Sequence, residues 1–271
     1  MQGLHCPITG DSFHEGEYVT EFDLMLVGIA AVIGGAVNAL AGGGTLITFP
    51  MLTAVGIPAV AANITNTVAL CPGYLGATFA QIRDLKVNKK SLWLLGVTGG
   101  LGGVAGGVLL LNTGEQTFRT LVPYLILLAA GLLAIEAPFR RWRTRSPGVS
   151  GVERHHGIWM VLSVFLASIY GGYFGGGLSV IVLAVLSLAS HDSLTQLSAL
   201  KQFIAFCVNI SAAIFFLFSG KIVWSAMVVM AIGALAGGVL GGMVAGRIRP
   251  ELLRWIVVVV GVAISIVYFV R

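Results

Sequence analysis

Charged residues are scarce in this chain of 271 residues. Asp, Glu, Lys and Arg together make up 10% of it, apolar residues make up 57%, and the mean hydropathy is +0.94. A soluble globular domain carries about 25% charged residues. This composition cannot cover a soluble surface with polar groups, so it excludes a soluble enzyme, a disordered chain and a disulfide scaffold. It predicts a polytopic membrane protein.

Acidic residues and histidine are missing from the middle of every long apolar run. The acids closest to these runs stand near their ends: Asp84, Glu115, Glu136, Asp192 and Glu251. A cation carrier or a proton pump normally needs carboxylates inside the membrane, and an intramembrane hydrolase of the Ser–His type needs a histidine. Both classes are therefore disfavoured. The three cysteines show no metal-ligand spacing, so we expect no metal and no cofactor.

Basic residues give the chain a net charge of +5, but they stand in short loops between apolar runs. This placement predicts cytoplasmic loops and argues against a nucleic-acid partner. Residues 1–23 differ, because they hold five acidic residues and no Lys or Arg. A secretory signal needs a basic start, so this segment is predicted to be a polar, acidic amino-terminal tail.

Hydrophobicity divides the rest of the chain into ten elements. The first five are Leu24–Leu40, Thr45–Val55, Pro58–Ile82, Ser91–Leu111 and Thr117–Ile135. The second five are Gly157–Tyr173, Leu178–Ala189, Ser193–Ser219, Val223–Ala245 and Glu251–Val270. Eight of them are long enough for a bilayer core, which needs about 20 residues of helix. The second element of each set is too short, and each follows a triple glycine.

Four markers recur at nearly one offset, which indicates an internal duplication. They are the triple glycines at 42–44 and 175–177, offset by 133; two glycine-rich segments at 102–107 and 237–242, offset by 135; Cys71 and Cys207, offset by 136; and Arg119 and Arg254, offset by 135. The predicted division is a tail, 1–23, a first transmembrane repeat, 24–135, an Arg-rich linker, 136–156, and a second transmembrane repeat, 157–270.

Positive charge orients the two repeats. If each short element completes a crossing with its neighbours, the halves are inverted and the amino terminus is outside. Twelve Lys or Arg residues then face the cytoplasm and three face the outside. If each short element dips in and returns, the halves run parallel and the counts are eleven and four. Inverted repeats of five elements each, with the linker cytoplasmic, are therefore favoured.

Each triple glycine interrupts an apolar run, and exposed backbone inside a membrane is tolerated only against protein or a water-filled cavity. The short helix that follows begins with unpaired N–H groups and a partial positive charge, which bind anions without a charged side chain. Matched broken helices in two halves are typical of a transporter's central site. The substrate-binding residues predicted here are Asn38, Gly42, Gly43, Gly44, Thr45, Gly175, Gly176 and Gly177. The alternative is that these glycines only permit tight packing.

The third element of each half carries buried polar residues. Asn63 and Asn66 share one helix face in the first half, and Ser198, Lys201 and Gln202 have helical spacing in the second. Lys201 is the one Lys or Arg placed deep in an apolar run, and such a residue is a functional-site hypothesis by default. We predict that all five bind the substrate and that an anion is the partner of Lys201. The alternative is that Lys201 extends to the headgroups.

Two glycine stripes lie at helical spacing in the fourth elements. Their members are Gly99, Gly103 and Gly107 in the first half, and Gly233, Gly237 and Gly241 in the second. Such stripes let helices pack closely, either within the chain or in a homodimer. Packing within the chain is the favoured interpretation.

The chain resembles the sulfite exporter TauE/SafE family of membrane permeases. The resemblance rests on the two similar halves, on Gly42–Gly44 followed by Pro50 and Gly56, on the stretch Ala61–Thr67, and on Gly175–Gly177. It implies a permease of a bacterial-type plasma membrane without a prosthetic group. It also implies a sulfur-containing oxyanion, such as sulfite or an organosulfonate, as the substrate. The residues themselves predict an anion but not sulfur, and a permease for a cation or a neutral solute, with Lys201 structural, is the alternative.

Overall fold

The computed structural model describes residues 20–41, 43–85, 88–145, 158–189, 193–244 and 250–270. They form ten α-helices: α1 Glu21–Ala41, α2 Thr45–Ala54, α3 Ala59–Ala80, α4 Lys89–Thr113, α5 Glu115–Arg145, α6 Ile158–Tyr173, α7 Leu178–Ala189, α8 Leu194–Leu217, α9 Trp224–Val244 and α10 Pro250–Val270. A short 3-10 helix at Ile82–Asp84 follows α3. These ranges contain no strand, so the predicted all-α fold is confirmed. Residues 1–19, Gly42 and the linker beyond Arg145 lie outside the described residues.

Polar capping residues decide where several helices begin. Thr20 donates from its N–H and its hydroxyl to Asp23 Oδ2, at 2.9 and 2.7 Å, and Asp23 N–H donates back to the Thr20 hydroxyl. Ser193 and Gln196 form the same reciprocal arrangement at α8, and Asn88 Oδ1 accepts the N–H two residues further on at α4. Such caps satisfy the first N–H groups of a helix. Hydrophobicity alone therefore placed the starts of α1 and α4 two or three residues too late.

The end of α5 is the largest departure from the sequence prediction. A polar linker was expected from Glu136 to His156, whereas α5 continues as a helix of 31 residues to Arg145. Polar residues do not end a helix by themselves, because Glu, Ala and Arg are good helix formers. Glu136 consequently lies inside a helix, and only 6% of it is exposed.

Six described helices are long and apolar enough to cross a membrane, namely α1, α4, α5, α8, α9 and α10. The prediction of eight is too high by this measure. α6 has only 16 described residues, and the 22 residues of α3 include Asn63, Asn66 and three threonines, which lower its hydropathy. α2 and α7, with 10 and 12 residues, are too short to cross alone, as the sequence predicts.

The glycine stripes bring helices together within the chain. Gly103 in α4 lies against the carbonyl of Val208 in α8, and Gly237 in α9 lies against the carbonyl of Val32 in α1. A Cβ atom added at either glycine would overlap backbone atoms of the neighbouring helix. Packing within the chain is therefore confirmed for these two stripes. A homodimer contact stays a prediction.

Corresponding helices of the two halves pack against each other in opposite directions. The contacts that fix these directions are Cys71–Asn209 and Thr78–Gln202 for α3 with α8, and Glu136–Arg254 and Pro123–Ser265 for α5 with α10. In both helix pairs, the contacts move towards the start of one helix as they move towards the end of the other. Inverted halves require this relation between equivalent helices.

Candidate anion site at two helix breaks

The first break separates α1 from α2. Gly43 has a φ of +88°, a left-handed conformation that favours glycine, and α2 starts two residues later. Gly34 of α1 faces Thr48 of α2, and Asn38 lies beside Gly44, so α2 turns back along α1. At 1.5 Å per residue, α2 spans about 15 Å. The predicted interruption is present, and the described parts of this motif lie against α1.

The second break separates α6 from α7 and has its own glycines in the left-handed region. Gly175 has a φ of +80° and Gly177 a φ of +78°. The hydroxyl of Tyr170 donates to the carbonyl of Gly176 at 2.6 Å, which fixes the turn. Both breaks approach the same stretch of α5, because Gly43 faces Leu133 and Gly177 faces Ala129 and Leu132.

The second break presents unpaired backbone donors. Leu178 N–H bonds to the Gly175 carbonyl and Val180 N–H bonds to the Gly177 carbonyl. Among the described residues, no hydrogen bond uses the N–H groups of Gly176, Gly177 or Ser179. Ser179 belongs to the first turn of α7 and the two glycines directly precede it, at the end where the helix dipole places a partial positive charge. The break can therefore donate to an anion from the backbone alone.

One face of α3 reaches both breaks. The Asn63 side-chain amide donates to the Tyr173 carbonyl at 2.9 Å, next to the second break. Asn66 Oδ1 accepts from the Thr48 hydroxyl at 2.6 Å, and Thr48 also donates to the Gly44 carbonyl at 3.2 Å, next to the first break. Both asparagines are buried, with 0% and 2% exposed. The two side-chain amides of α3 therefore link the helix to both breaks, one amide at each.

The Asn63 oxygen is the least satisfied atom in this region. Its Oδ1 is buried and has no hydrogen-bond partner among the described residues. Leaving such an acceptor unpaired costs about 1–3 kcal/mol. One further donor, from water or from a bound molecule, would remove that cost.

Aromatic side chains form a wall beside the second break. The rings of Phe49 and Phe174 pack edge to face with centroids 5.5 Å apart, and those of Phe118 and Tyr173 do the same at 5.5 Å. Sequence reasoning missed this wall, and it missed Thr48 as a partner of Asn66. The sequence does place Thr48, Phe49, Tyr173 and Phe174 beside the two glycine motifs, and that position could have indicated them.

The α8 residues of the predicted site lie elsewhere. The Gln202 carbonyl accepts from the Thr78 hydroxyl at 3.4 Å. Thr78 lies twelve residues beyond Asn66 in α3, about 18 Å along the helix axis. Lys201 and Ser198 are both partly buried, and Lys201 has a contact of its own in the structure. The structure brings Asn38, Asn63 and Asn66 to the breaks. The three α8 residues lie instead near the opposite end of α3.

Comparison with known proteins agrees with this architecture. The family model described as Sulfite exporter TauE/SafE matches residues 27–268, which is nearly the whole chain. The chain belongs to the TauE/SafE family. A relative from Haemophilus influenzae, named a probable membrane transporter protein, is 30% identical over 228 residues, 84% of this chain and 87% of its own length.

Two further relatives of this TauE/SafE protein carry similar names. A probable membrane transporter protein of Sinorhizobium is 26% identical over 88% of this chain and 89% of its own length. The Escherichia coli protein YfcA, a probable membrane transporter, is 25% identical over 89% of this chain and 88% of its own length. No solved structure matches the chain. The family and the apolar helices make this a multi-pass membrane transporter, consistent with the plasma membrane.

Proposed function

We propose that this TauE/SafE protein is a secondary transporter that moves a small oxyanion across the plasma membrane by alternating access. The observation that carries the proposal is the contact of one α3 face with both helix breaks, through Asn63 and Asn66. Transporters with broken helices bind their substrates at such points, between the two repeats. The substrate would bind beside the first turn of α7, where no described group accepts a hydrogen bond from the N–H groups of Gly176 and Gly177.

The electrostatics of the breaks favour an anion. Both short helices begin at the breaks, so each contributes the positive end of its dipole. The amides add donors that carry no net charge, and the aromatic wall lowers the local dielectric, which strengthens each hydrogen bond. Asn38, Gly43, Gly44, Thr45, Gly175 and the two asparagines would complete the shell. Gly42 lies outside the described residues, and its role stays a prediction.

A sulfur oxyanion is the substrate that the family name favours. The expected substrates are sulfite or an organosulfonate. The test is a flux assay in proteoliposomes with radiolabelled sulfite, competed by sulfate, by methanesulfonate, by a divalent metal ion and by a neutral sugar. We expect anions to compete and the metal ion and the sugar to be without effect. Uptake of the metal ion with no anion flux would overturn the proposal.

One observation favours the second candidate, a permease for a cation or a neutral solute. Asn63 Oδ1 is an acceptor, so it fits a donor group better than a bare anion. In that case Lys201 would be structural, in keeping with its distance from the breaks. The same flux assay separates the two candidates, because only one of them predicts competition by anions.

We also propose the topology that the charge distribution favours. Repeats 24–135 and 157–270 would be inverted, with the tail outside and the linker 136–156 in the cytoplasm. The antiparallel packing of α3 with α8, and of α5 with α10, supports this arrangement. The short helices would stay within the membrane beside the substrate.

A further inference from the structure

A large cavity opens at one end of the α5–α10 pair. It has a volume of about 1210 Å³ and lies between the end of α2, the start of α3, the start of α5 and the end of α10. α5 contributes its polar residues, namely Glu115, Gln116, Arg119 and Thr120. α10 contributes mainly apolar side chains, such as Val260, Ile264 and Val267. The cavity reaches Pro50 and Met51 of α2, the short helix that starts at the first break.

The two opposite charges at this cavity are held differently. The carboxylate of Glu115 accepts from the N–H groups of Ala59 and Val60, the latter at 3.0 Å, so it caps the start of α3. Its charge is therefore balanced by the helix dipole. Arg119 is exposed and makes no hydrogen bond or ion pair among the described residues. The guanidinium is thus the charge that this cavity offers to a ligand.

The opposite end of the same helix pair carries a buried ion pair. Arg254 stands 135 residues after Arg119, at the repeat offset, and its guanidinium lies 3.1 Å from the carboxylate of Glu136. Both side chains are buried, with 6% of each residue exposed. Arg254 Nε is buried without a partner in the described structure, so the ion pair does not satisfy the guanidinium completely.

Two arginines at equivalent positions of the repeats therefore lie in unlike surroundings. One faces an open cavity, and the other is buried in an ion pair. A carrier that opens its two faces in turn shows this difference in any one state. The difference points to one open face and one closed face of the transporter.

We propose that Arg119 captures the anionic substrate in a vestibule at the open face. Arg254 performs the same role at the other face when that face opens. While that face is closed, the carboxylate of Glu136 pairs with the Arg254 guanidinium in place of the substrate. The inference rests on the proposed function, because it takes the carried molecule to be an oxyanion. Guanidinium groups suit this role, since they bind sulfonate-like and carboxylate-like oxygens through two parallel hydrogen bonds.

Thiol labelling tests the vestibule without measuring transport. In a chain whose native cysteines are replaced by alanine, Thr120→Cys places a thiol inside the cavity, and a membrane-impermeant maleimide reports its access. Methanesulfonate is the probe anion, because sulfite itself reacts with maleimides. We expect 50 mM methanesulfonate to slow labelling at least threefold. Arg119→Gln should abolish the protection, while Lys90→Gln, which removes one exposed positive charge elsewhere, should keep it.

A second thiol tests the closed face. Val258 lies one turn beyond Arg254 in α10 and is 7% exposed, so Val258→Cys should resist labelling. Glu136→Gln should raise its labelling rate at least threefold from the face opposite the cavity. Breaking one partner of a buried ion pair is destabilising, so the double variant Glu136→Gln, Arg254→Gln is measured beside it. Unchanged labelling in both variants would overturn the assignment of this face as a closed gate.

These outcomes are separable from the proposed function. If methanesulfonate protects the cavity thiol but reconstituted protein carries no oxyanion, the vestibule stands and the proposed function fails. If the oxyanion is carried and protection persists in Arg119→Gln, the proposed function stands and the vestibule fails.

Discussion

Replacing Asn63 by alanine separates binding from stability. The change removes one hydrogen bond to the Tyr173 carbonyl, which contributes about 0.5–1.5 kcal/mol. It also removes the buried, unpaired Oδ1, which relieves about 1–3 kcal/mol. A small cavity costs about 0.5 kcal/mol at 24 cal/mol per Å³. These effects oppose one another and sum to between about 1 kcal/mol of destabilisation and about 2 kcal/mol of stabilisation, so we expect the stability of Asn63→Ala to stay within about 2 kcal/mol of that of the parent protein.

Binding should respond differently, because no other described side chain replaces the amide between α3 and the second break. We expect the affinity for the oxyanion to fall at least tenfold, which corresponds to about 1.4 kcal/mol. The assays are thermal unfolding in detergent, for stability, and competition of sulfite flux by methanesulfonate, for affinity.

Thr78→Val is the matched control. It removes a buried hydroxyl, 15 residues from Asn63, that donates to the Tyr74 carbonyl in the same helix and to the Gln202 carbonyl of α8. It should leave the affinity unchanged. If Asn63→Ala binds the anion as tightly as the parent protein at equal stability, the site does not lie at the α3 face.

Three other substitutions or labels test the remaining arguments. Gly177→Ala places a Cβ atom on a residue with left-handed backbone, 3.2 Å from Ala129, so it should destabilise the protein by about 1–2 kcal/mol or more in thermal unfolding. Gly131→Ala is the control: a Cβ atom there meets open space on α5, and the change should stabilise the protein by about 0.5–1 kcal/mol. Lys201→Met keeps the side-chain bulk without the charge. If the lysine joins the substrate shell, anion affinity falls at least tenfold and Lys201→Arg retains part of it, whereas unchanged transport would show that the shell at the breaks does not include the lysine. Impermeant labelling of single cysteines should reach the linker only from the cytoplasm, and labelling from outside would contradict the inverted topology.

The helices and their breaks followed from the sequence because local physics decides them. Apolar runs, glycines and their spacing predicted ten elements, and the glycine φ values agree with the predicted interruptions. The boundaries were less accurate, since capping residues such as Thr20 and Asn88 contribute little to hydrophobicity. The polar residues after Ile135 had the composition of a connector, yet they continue α5.

The site was harder to predict, because residues at equivalent positions of the two repeats do not have to lie close together in the fold. At the repeat offset, Asn66 corresponds to Gln202, which suggested one shared shell. In antiparallel helices, however, equivalent residues lie side by side only where the helices cross, near Cys71 and Asn209. Six residues to either side of that crossing separate the two by about 18 Å. The same geometry explains why the Glu136–Arg254 pair was not foreseen, since it joins helix ends that only the packing of α5 on α10 brings together.

The placement of charged groups affects how fast such a carrier would capture and release its anion. At the breaks, the described groups that meet α3 are amides, a hydroxyl and backbone dipoles, and each hydrogen bond of this kind contributes about 0.5–1.5 kcal/mol net. The guanidinium groups stand instead at the two ends of the α5–α10 pair. A full charge at the binding point would hold an anion more strongly and slow its release on the far side. Charge at the mouths raises the local anion concentration and the rate of capture, while neutral donors at the centre keep the affinity low enough for release.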